Sequence, residues 1–166
     1  MVFMNMLITG KPGCGKTTLT KKMLPYFYGV SGFFTEEIRE RGVRVGFSIH
    51  TLDGFCGILA HKDSSSPIKV GRYGVNLADI EESCRHVGRG TAIIDEIGKM
   101  ELHSATFRKL ILEKLEEQSL FATIMDAPHT FCDMVKSRKD VTLYRLTRET
   151  REETFSSLRE IFKDVL

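Results

Sequence analysis

The stretch Gly10-Lys11-Pro12-Gly13-Cys14-Gly15-Lys16-Thr17 constrains this chain more than any other. It satisfies the pattern G-x-x-x-x-G-K-[ST], follows the largely apolar run Met4 to Thr9, and precedes a helix-like segment. A strand, a glycine-rich turn and a helix in that order make a cradle for phosphate. The turn must wrap an anion with its backbone N–H groups, an approach that Cβ atoms would obstruct. The helix behind it then aims the positive end of its dipole at the same anion. In such a P-loop Lys16 reaches the β- and γ-phosphates, and the Thr17 hydroxyl holds a magnesium ion that bridges them.

A chain of 166 residues suits one domain with a sizeable core, here residues 1–166. Lys and Arg are spread along the sequence and the formal net charge is only +2, so no basic stripe points to nucleic acid. No apolar run approaches the ~20 residues of a membrane span, and Met1 to Met6 lacks the build of a signal peptide. The default expectation is a cytoplasmic protein, monomeric or weakly self-associating. Cys14, Cys56, Cys84 and Cys132 lie far apart with no C-x-x-C, which favours free thiols over a zinc site or a disulfide framework. Cys14 occupies a variable position of the loop motif.

Periodicity predicts strands at Met4 to Thr9, Val30 to Glu37, Val43 to Thr51, Phe55 to Ala60, Thr91 to Ile94, Leu120 to Met125 and Val141 to Leu146. Glu40-Arg41-Gly42 and Asp53-Gly54 read as turns, so residues 30–60 form an antiparallel ribbon. Lys62 to Pro67 is a surface loop, and Gly71 to Asn76 leads into a helix capped by Asn76 that runs to about Val87. Further helices are predicted at Lys16 to Leu24, after Ser104, at Thr130 to Lys136, and after a Thr147 cap. The last of these places Phe155, Leu158, Ile161, Phe162 and Val165 on one face. Strands alternating with helices imply an α/β fold of three α/β/α layers, with a mainly parallel sheet and ligands at the carboxyl ends of its strands.

Asp95-Glu96 closes the apolar strand Thr91-Ala92-Ile93-Ile94. In a P-loop site an acid there binds magnesium opposite the loop threonine, so the metal set is Thr17 and Asp95. Glu96 then has a different task, to orient and deprotonate an attacking water, which favours hydrolysis over transfer. Asp95-Glu96-Ile97-Gly98 also fits D-x-x-G, in which the glycine amide senses the γ-phosphate. Ser137-Arg138-Lys139-Asp140 has the wrong order for a guanine-reading N-K-x-D, so broad nucleotide tolerance is expected. Lys99 either neutralises γ-phosphate charge or pairs with Glu101 or Glu96 at the surface. Thr123 or Asp126 is a sensor of the γ-phosphate, or Thr123 is an ordinary half-buried strand threonine. Arg148 and Arg151 either stack on a base or act as an arginine finger, or they are solvated charges.

Several stretches together resemble the small P-loop nucleoside-triphosphatases that include the vertebrate cancer-related nucleoside-triphosphatase. They are Gly10 to Thr18, Gly32-Phe33-Phe34-Thr35-Glu36-Glu37-Ile38-Arg39, Gly46-Phe47, Val70 to Val75, Ile94-Asp95-Glu96-Ile97-Gly98-Lys99-Met100-Glu101, Ala122-Thr123-Ile124 and Leu146 to Arg151. The resemblance implies a P-loop NTPase fold with a RecA-like sheet, and Mg²⁺-dependent hydrolysis of ATP, GTP, CTP and UTP to diphosphate and phosphate. It implies a nucleotide site of Gly10, Lys11, Pro12, Gly13, Cys14, Gly15, Lys16, Thr17, Thr18, Ile94, Asp95, Glu96, Gly98 and Lys99, with Lys16 and Glu96 catalytic. Where the family often has Pro this chain has Met125, and where it often has Asn it has Thr150. The rival readings are a nucleotide or small-molecule kinase, and a nucleotide-controlled binding module with slow hydrolysis.

Overall fold

A computed structural model describes residues 4–163. The chain runs β1 (Asn5–Gly10), α1 (Lys16–Met23), β2 (Ser31–Glu40), β3 (Val43–Thr51), β4 (Cys56–His61), β5 (Lys69–Val70), β6 (Tyr73–Val75), α2 (Leu77–Arg85), β7 (Ala92–Ile97), α3 (Ala105–Glu116), β8 (Leu120–Met125), α4 (Thr130–Lys136), β9 (Val141–Arg145) and α5 (Arg151–Lys163). All nine of these strands share one sheet, in the order β5-β6-β4-β3-β2-β7-β8-β1-β9. From β2 to β9 the pairings are parallel, and from β2 outward through β3, β4, β6 and β5 they are antiparallel. The ribbon at residues 30–60 therefore extends the main sheet, because β2 pairs with β7 through Ser31 to Phe33 and with β3 along the rest.

The central strands are buried on both faces, and their period of two sorts side chains between two cores. Leu7, Phe33, Ile94 and Ala122 join Ile80, Phe107, Ile111 and Val135 under α2, α3 and α4. Met6, Ile8, Phe34, Ile93 and Phe121 face the other way, onto Leu19 and Met23 of α1 and Leu158 and Phe162 of α5. This is the three-layer arrangement, with the helices split between the two faces. Asn76 caps α2 by accepting from the Asp79 N–H, and Ser104 caps α3 by accepting from the Phe107 N–H.

Four expectations need correction. Strand β7 does not stop at Ile94 but carries Asp95 and Glu96 within it to Ile97. Gly71 to Asn76 is more than a lead-in: a turn at Gly71 folds β5 against β6. The last helix begins at Arg151, and Thr147 instead exchanges hydrogen bonds with Thr150, whose carbonyl accepts from Thr154 in the first turn. Ile161 is 37% exposed, so it lies off the buried face that Leu158 and Phe162 define; Val165 lies outside the described residues. Among the described residues no helix is long and apolar enough to cross a membrane.

Candidate functional site

Strand β1 delivers the chain to the loop at Gly10, and the loop ends at Gly15, the N-cap of α1, whose φ of 106° is left-handed. A Cβ on Gly10 would fall 2.4 Å from the Leu146 carbonyl oxygen, so this position admits only glycine without moving the backbone. The first turn of α1 contains no acid, which leaves its dipole free for an external anion. Lys16 Nζ donates to the carbonyls of Gly10 at 2.8 Å and Lys11 at 3.3 Å, folded over the loop. Cys14 turns its side chain into the core beneath. Its place there is packing.

The order of the parallel strands brings β8 between β1 and β7. Register then sets Thr123 beside Ile8 on one side, with Ala122 opposite Ile94 on the other. As a result Asp95 meets two hydroxyls: Thr17 Oγ1 donates to its Oδ2 at 2.8 Å and Thr123 Oγ1 to its Oδ1 at 2.7 Å. Asp95 is only 2% exposed. Burial raises its pKa, against the pull of the two hydroxyls and of Lys16. Thr123 is fully buried rather than half-buried, and its hydroxyl is spent on Asp95.

Glu96 points to the opposite side of the strand step, half-buried in the same cleft. Burial raises its pKa, Lys16 opposes the shift, and Asp95 adds to it. A third carboxyl lies close by. Glu101 sits in a 3₁₀ turn, and its Oε2 is 3.0 Å from where a Gly98 Cβ would stand, while Glu96 Cγ is 3.1 Å from the same point. Gly98 thus fills the slot between two acids. Burial first and Glu96 second push the Glu101 pKa to about 8. The reading of Glu101 as a surface partner for Lys99 fails for this reason: Glu101 is 4% exposed, whereas Lys99 is exposed at the rim.

These residues border a cleft of about 700 Å³. Of the residues picked out in sequence, Gly10, Pro12, Gly13, Gly15, Lys16, Thr17, Thr18, Asp95, Glu96, Gly98 and Lys99 line it. Lys11, Cys14 and Ile94 do not, and Ile94 is wholly in the core. Asp126 lines it too and pairs with Arg145 at 3.2 Å. The wall facing the loop is the ribbon: Thr35, Glu36 and Glu37, with Arg44 and Phe47. Sequence reasoning gave these no place in the site. Glu36 is tied to Lys21 of α1 at 2.8 Å, and Glu37 to Arg44 at 3.0 Å. The only signal for them was the distinctive Thr-Glu-Glu stretch. Arg148 and Arg151 approach the outer side of the loop, one near Gly13 and the other near Gly15.

The donor set at Thr17 and Asp95 fits a hard divalent cation. Two oxygens sit within 2.8 Å of one another, and the carboxylate is buried with only hydroxyl hydrogen-bond partners. Among the described residues no cluster of three or more His, Cys, Asp or Glu side chains is arranged to hold a metal by itself. A cation here therefore shares its coordination with water and phosphate, the habit of magnesium.

A family model described as NTPase matches residues 5–159. The chain is 45% identical to the nucleoside-triphosphatase THEP1 of Thermotoga sp. (strain RQ2), over 96% of each chain. It is 33% identical to the Homo sapiens cancer-related nucleoside-triphosphatase, over 89% of this chain and 90% of that one. The crystal structure of THEP1 from the hyperthermophile Aquifex aeolicus superposes with a TM-score of 0.79 at 33% identity, covering 96% of this chain and 99% of the other.

Proposed function

We propose, on the premise that this chain belongs to the NTPase family matched along residues 5–159 and is a nucleoside-triphosphatase, that it hydrolyses ATP, GTP, CTP and UTP alike in a Mg²⁺-dependent reaction. The observation that carries this reading is the division of labour between two adjacent acids. Asp95 is held by Thr17 and Thr123 at the loop, and Glu96 is left in the cleft beside them without either of those hydroxyls.

The loop amides and the N-terminus of α1 bind the phosphates. Lys16 exchanges its two carbonyl contacts for β- and γ-phosphate oxygens. Thr17 and Asp95 would hold the metal, which when bound would supply Lewis-acid neutralisation of phosphate charge. Glu96 accepts a proton from the attacking water as the water oxygen bonds to the γ-phosphorus. The bond from that phosphorus to the β,γ-bridging oxygen breaks, diphosphate leaves with the electron pair, and the Glu96 proton passes on to phosphate or solvent. The raised pKa of Glu96 suits it to this exchange. Gly98 lies one step away in the lining of the cleft, and Lys99 at the rim adds positive charge.

Glu96→Gln tests the assignment. The variant keeps nucleotide binding and loses turnover by roughly 10² to 10⁴-fold, the usual contribution of a general base. A variant that releases phosphate from ATP as fast as the parent, with no acceptor present, removes Glu96 from the role.

A further inference from the structure

Strand β2 pairs with β7 only through Ser31 to Phe33, opposite Ala92 to Ile94, and then runs on beside β3 alone. The cleft opens where the two strands part. Phe33 and Ile94 face the same core, so the period of two puts Thr35, Glu37 and Glu96 on that face as well. By register Thr35 is level with Glu96, and Glu37 lies one pleat further, about 7 Å along the strand. There Arg44 of β3 enters the wall of the cleft. Its guanidinium is held on two sides: Nη1 donates to Glu37 Oε1 at 3.0 Å and Nε donates to the Tyr73 hydroxyl at 3.2 Å. The rings of Phe47 and Tyr73 flank it at 5.3 and 6.0 Å. Nη2 makes no hydrogen bond among the described residues, and the side chain is 45% exposed.

Two further contacts leave Arg44 able to move. Arg72 donates to the Arg44 carbonyl, which pins the backbone while the side chain turns. Glu37 has a second cation, because Arg39 Nε donates to its Oε2 at 2.8 Å, so Arg44 can leave without stranding the acid. The charge balance of the cleft calls for such a group. Among the described residues the cations that border it are Lys16 at the loop, Lys99 at the rim and Arg44, against a larger set of acids that includes Asp95, Glu96 and Glu101. Arg148 and Arg151 stand against the outer side of the loop and do not border the cleft.

We propose that Arg44 is the group that meets the charge developing on the γ-phosphoryl from the side opposite Lys16, an arginine finger carried on the ribbon of the same chain. The inference rests on the triphosphatase reading and adds a catalytic residue to it. In the transition state the phosphoryl spreads negative charge over its three equatorial oxygens. Lys16 reaches them from the loop. Arg44 turns from Glu37 back across one pleat, and its planar fork donates through Nη1 and Nη2 to the oxygens on the ribbon side. It gives up no proton: the proton of the attacking water still goes to Glu96, and diphosphate still leaves with the electron pair. Phosphates on the loop are held without Arg44, so its contribution is made in the transition state and is read in kcat rather than in KM.

Steady-state ATP hydrolysis, together with ADP binding in Mg²⁺ with and without aluminium fluoride, tests the assignment, because aluminium fluoride takes the place of the phosphoryl in transfer. Arg44→Met keeps a stem against Phe47 and Tyr73 and removes the charge. It lowers kcat by roughly 10²- to 10³-fold, the usual loss for one charge-stabilising donor, and leaves the KM for ATP within about threefold. ADP alone binds as in the parent, whereas aluminium fluoride tightens ADP binding to the parent and not to the variant. Arg44→Lys recovers only part of kcat, since one ammonium does not supply the fork. If Arg44 merely fastened the ribbon, its loss would lower stability or change ADP binding equally with and without aluminium fluoride. Variants that keep the aluminium fluoride effect, or that hydrolyse ATP within about twofold of the parent, overturn the finger. Should the methionine variant not fold, the lysine variant decides by the same two readings. A parent protein that releases no phosphate from ATP removes the triphosphatase reading instead, so the two fail separately.

Discussion

Thr123 in β8 donates its hydroxyl to Asp95 Oδ1 at 2.7 Å, while Thr17 in α1 donates to Oδ2 of the same carboxylate at 2.8 Å. Asp95 is therefore oriented from two elements. With a divalent cation bound by Thr17 and Asp95, the Thr123 hydroxyl would be the protein group that still orients the carboxylate. Thr123→Val keeps the shape of a fully buried side chain and deletes that bond. The expected result is a folded protein whose magnesium affinity, read from the Mg²⁺ dependence of phosphate release, falls by roughly 10- to 100-fold, as outer-sphere partners of metal ligands generally give. Thr123→Ser restores it. An unchanged magnesium dependence in the valine variant removes Thr123 from the positioning of Asp95.

Lys114 in α3 is 4% exposed, and its ammonium donates to the carbonyls of Gly88 at 2.8 Å and Gly90 at 3.3 Å and pairs with Glu117 at 2.8 Å. The same contact holds the Glu117 carboxyl below its usual range. It ties α3 to the loop that enters β7. Lys114→Met retains the aliphatic stem but strands those acceptors, so we expect a loss of about 2–3 kcal/mol in urea unfolding. Turnover at a temperature where the variant is folded is unchanged, because Lys114 lies outside the cleft.

The parts of the molecule legible in the sequence are those written in adjacent residues. The loop at Gly10 to Thr17 and the acids at 95 and 96 are contiguous motifs whose chemistry dictates their spacing. The strands from β1 to β4, together with β8 and β9, announce themselves by period, and Ser104 marks the start of α3. The hairpin of β5 and β6 was hidden because strands of two and three residues carry no period. The bond from Thr123 to Asp95 depends on β8 lying between β1 and β7, a matter of strand order that no local pattern encodes. Glu36 and Glu37 reach the cleft only because β2 pairs with β7 near its start and carries on past the site. Glu101 reads as a surface charge in a run rich in charge, yet the 3₁₀ turn that follows β7 folds it inward. Arg148 and Arg151 stood as either solvated charges or nucleotide contacts, and the chain reversal after β9 sets both against the loop.

Glu101 makes stability depend on pH in a direction opposite to that of an ordinary salt-bridged acid. Its folded pKa is raised to about 8 from 4.5, with burial as the main cause and the neighbouring Glu96 charge as the second. Below 4.5 the carboxyl is neutral whether folded or unfolded and its burial is tolerated. As pH rises toward 8 the unfolded chain ionises Glu101 and the folded one does not, so the native state binds more protons and stability falls. The slope is about 1.4 kcal/mol per pH unit while that difference persists, and the full loss is several kcal/mol, reached once pH passes the folded pKa. Glu101→Gln keeps the size of the side chain and has no proton to lose. Urea unfolding without nucleotide or metal at pH 5 and pH 8.5 therefore shows the glutamine variant gaining on the parent as pH rises, with the two closest at the acid end. A gap between the two proteins that stays constant across that range would mean that Glu101 ionises in the folded protein as readily as in the unfolded chain.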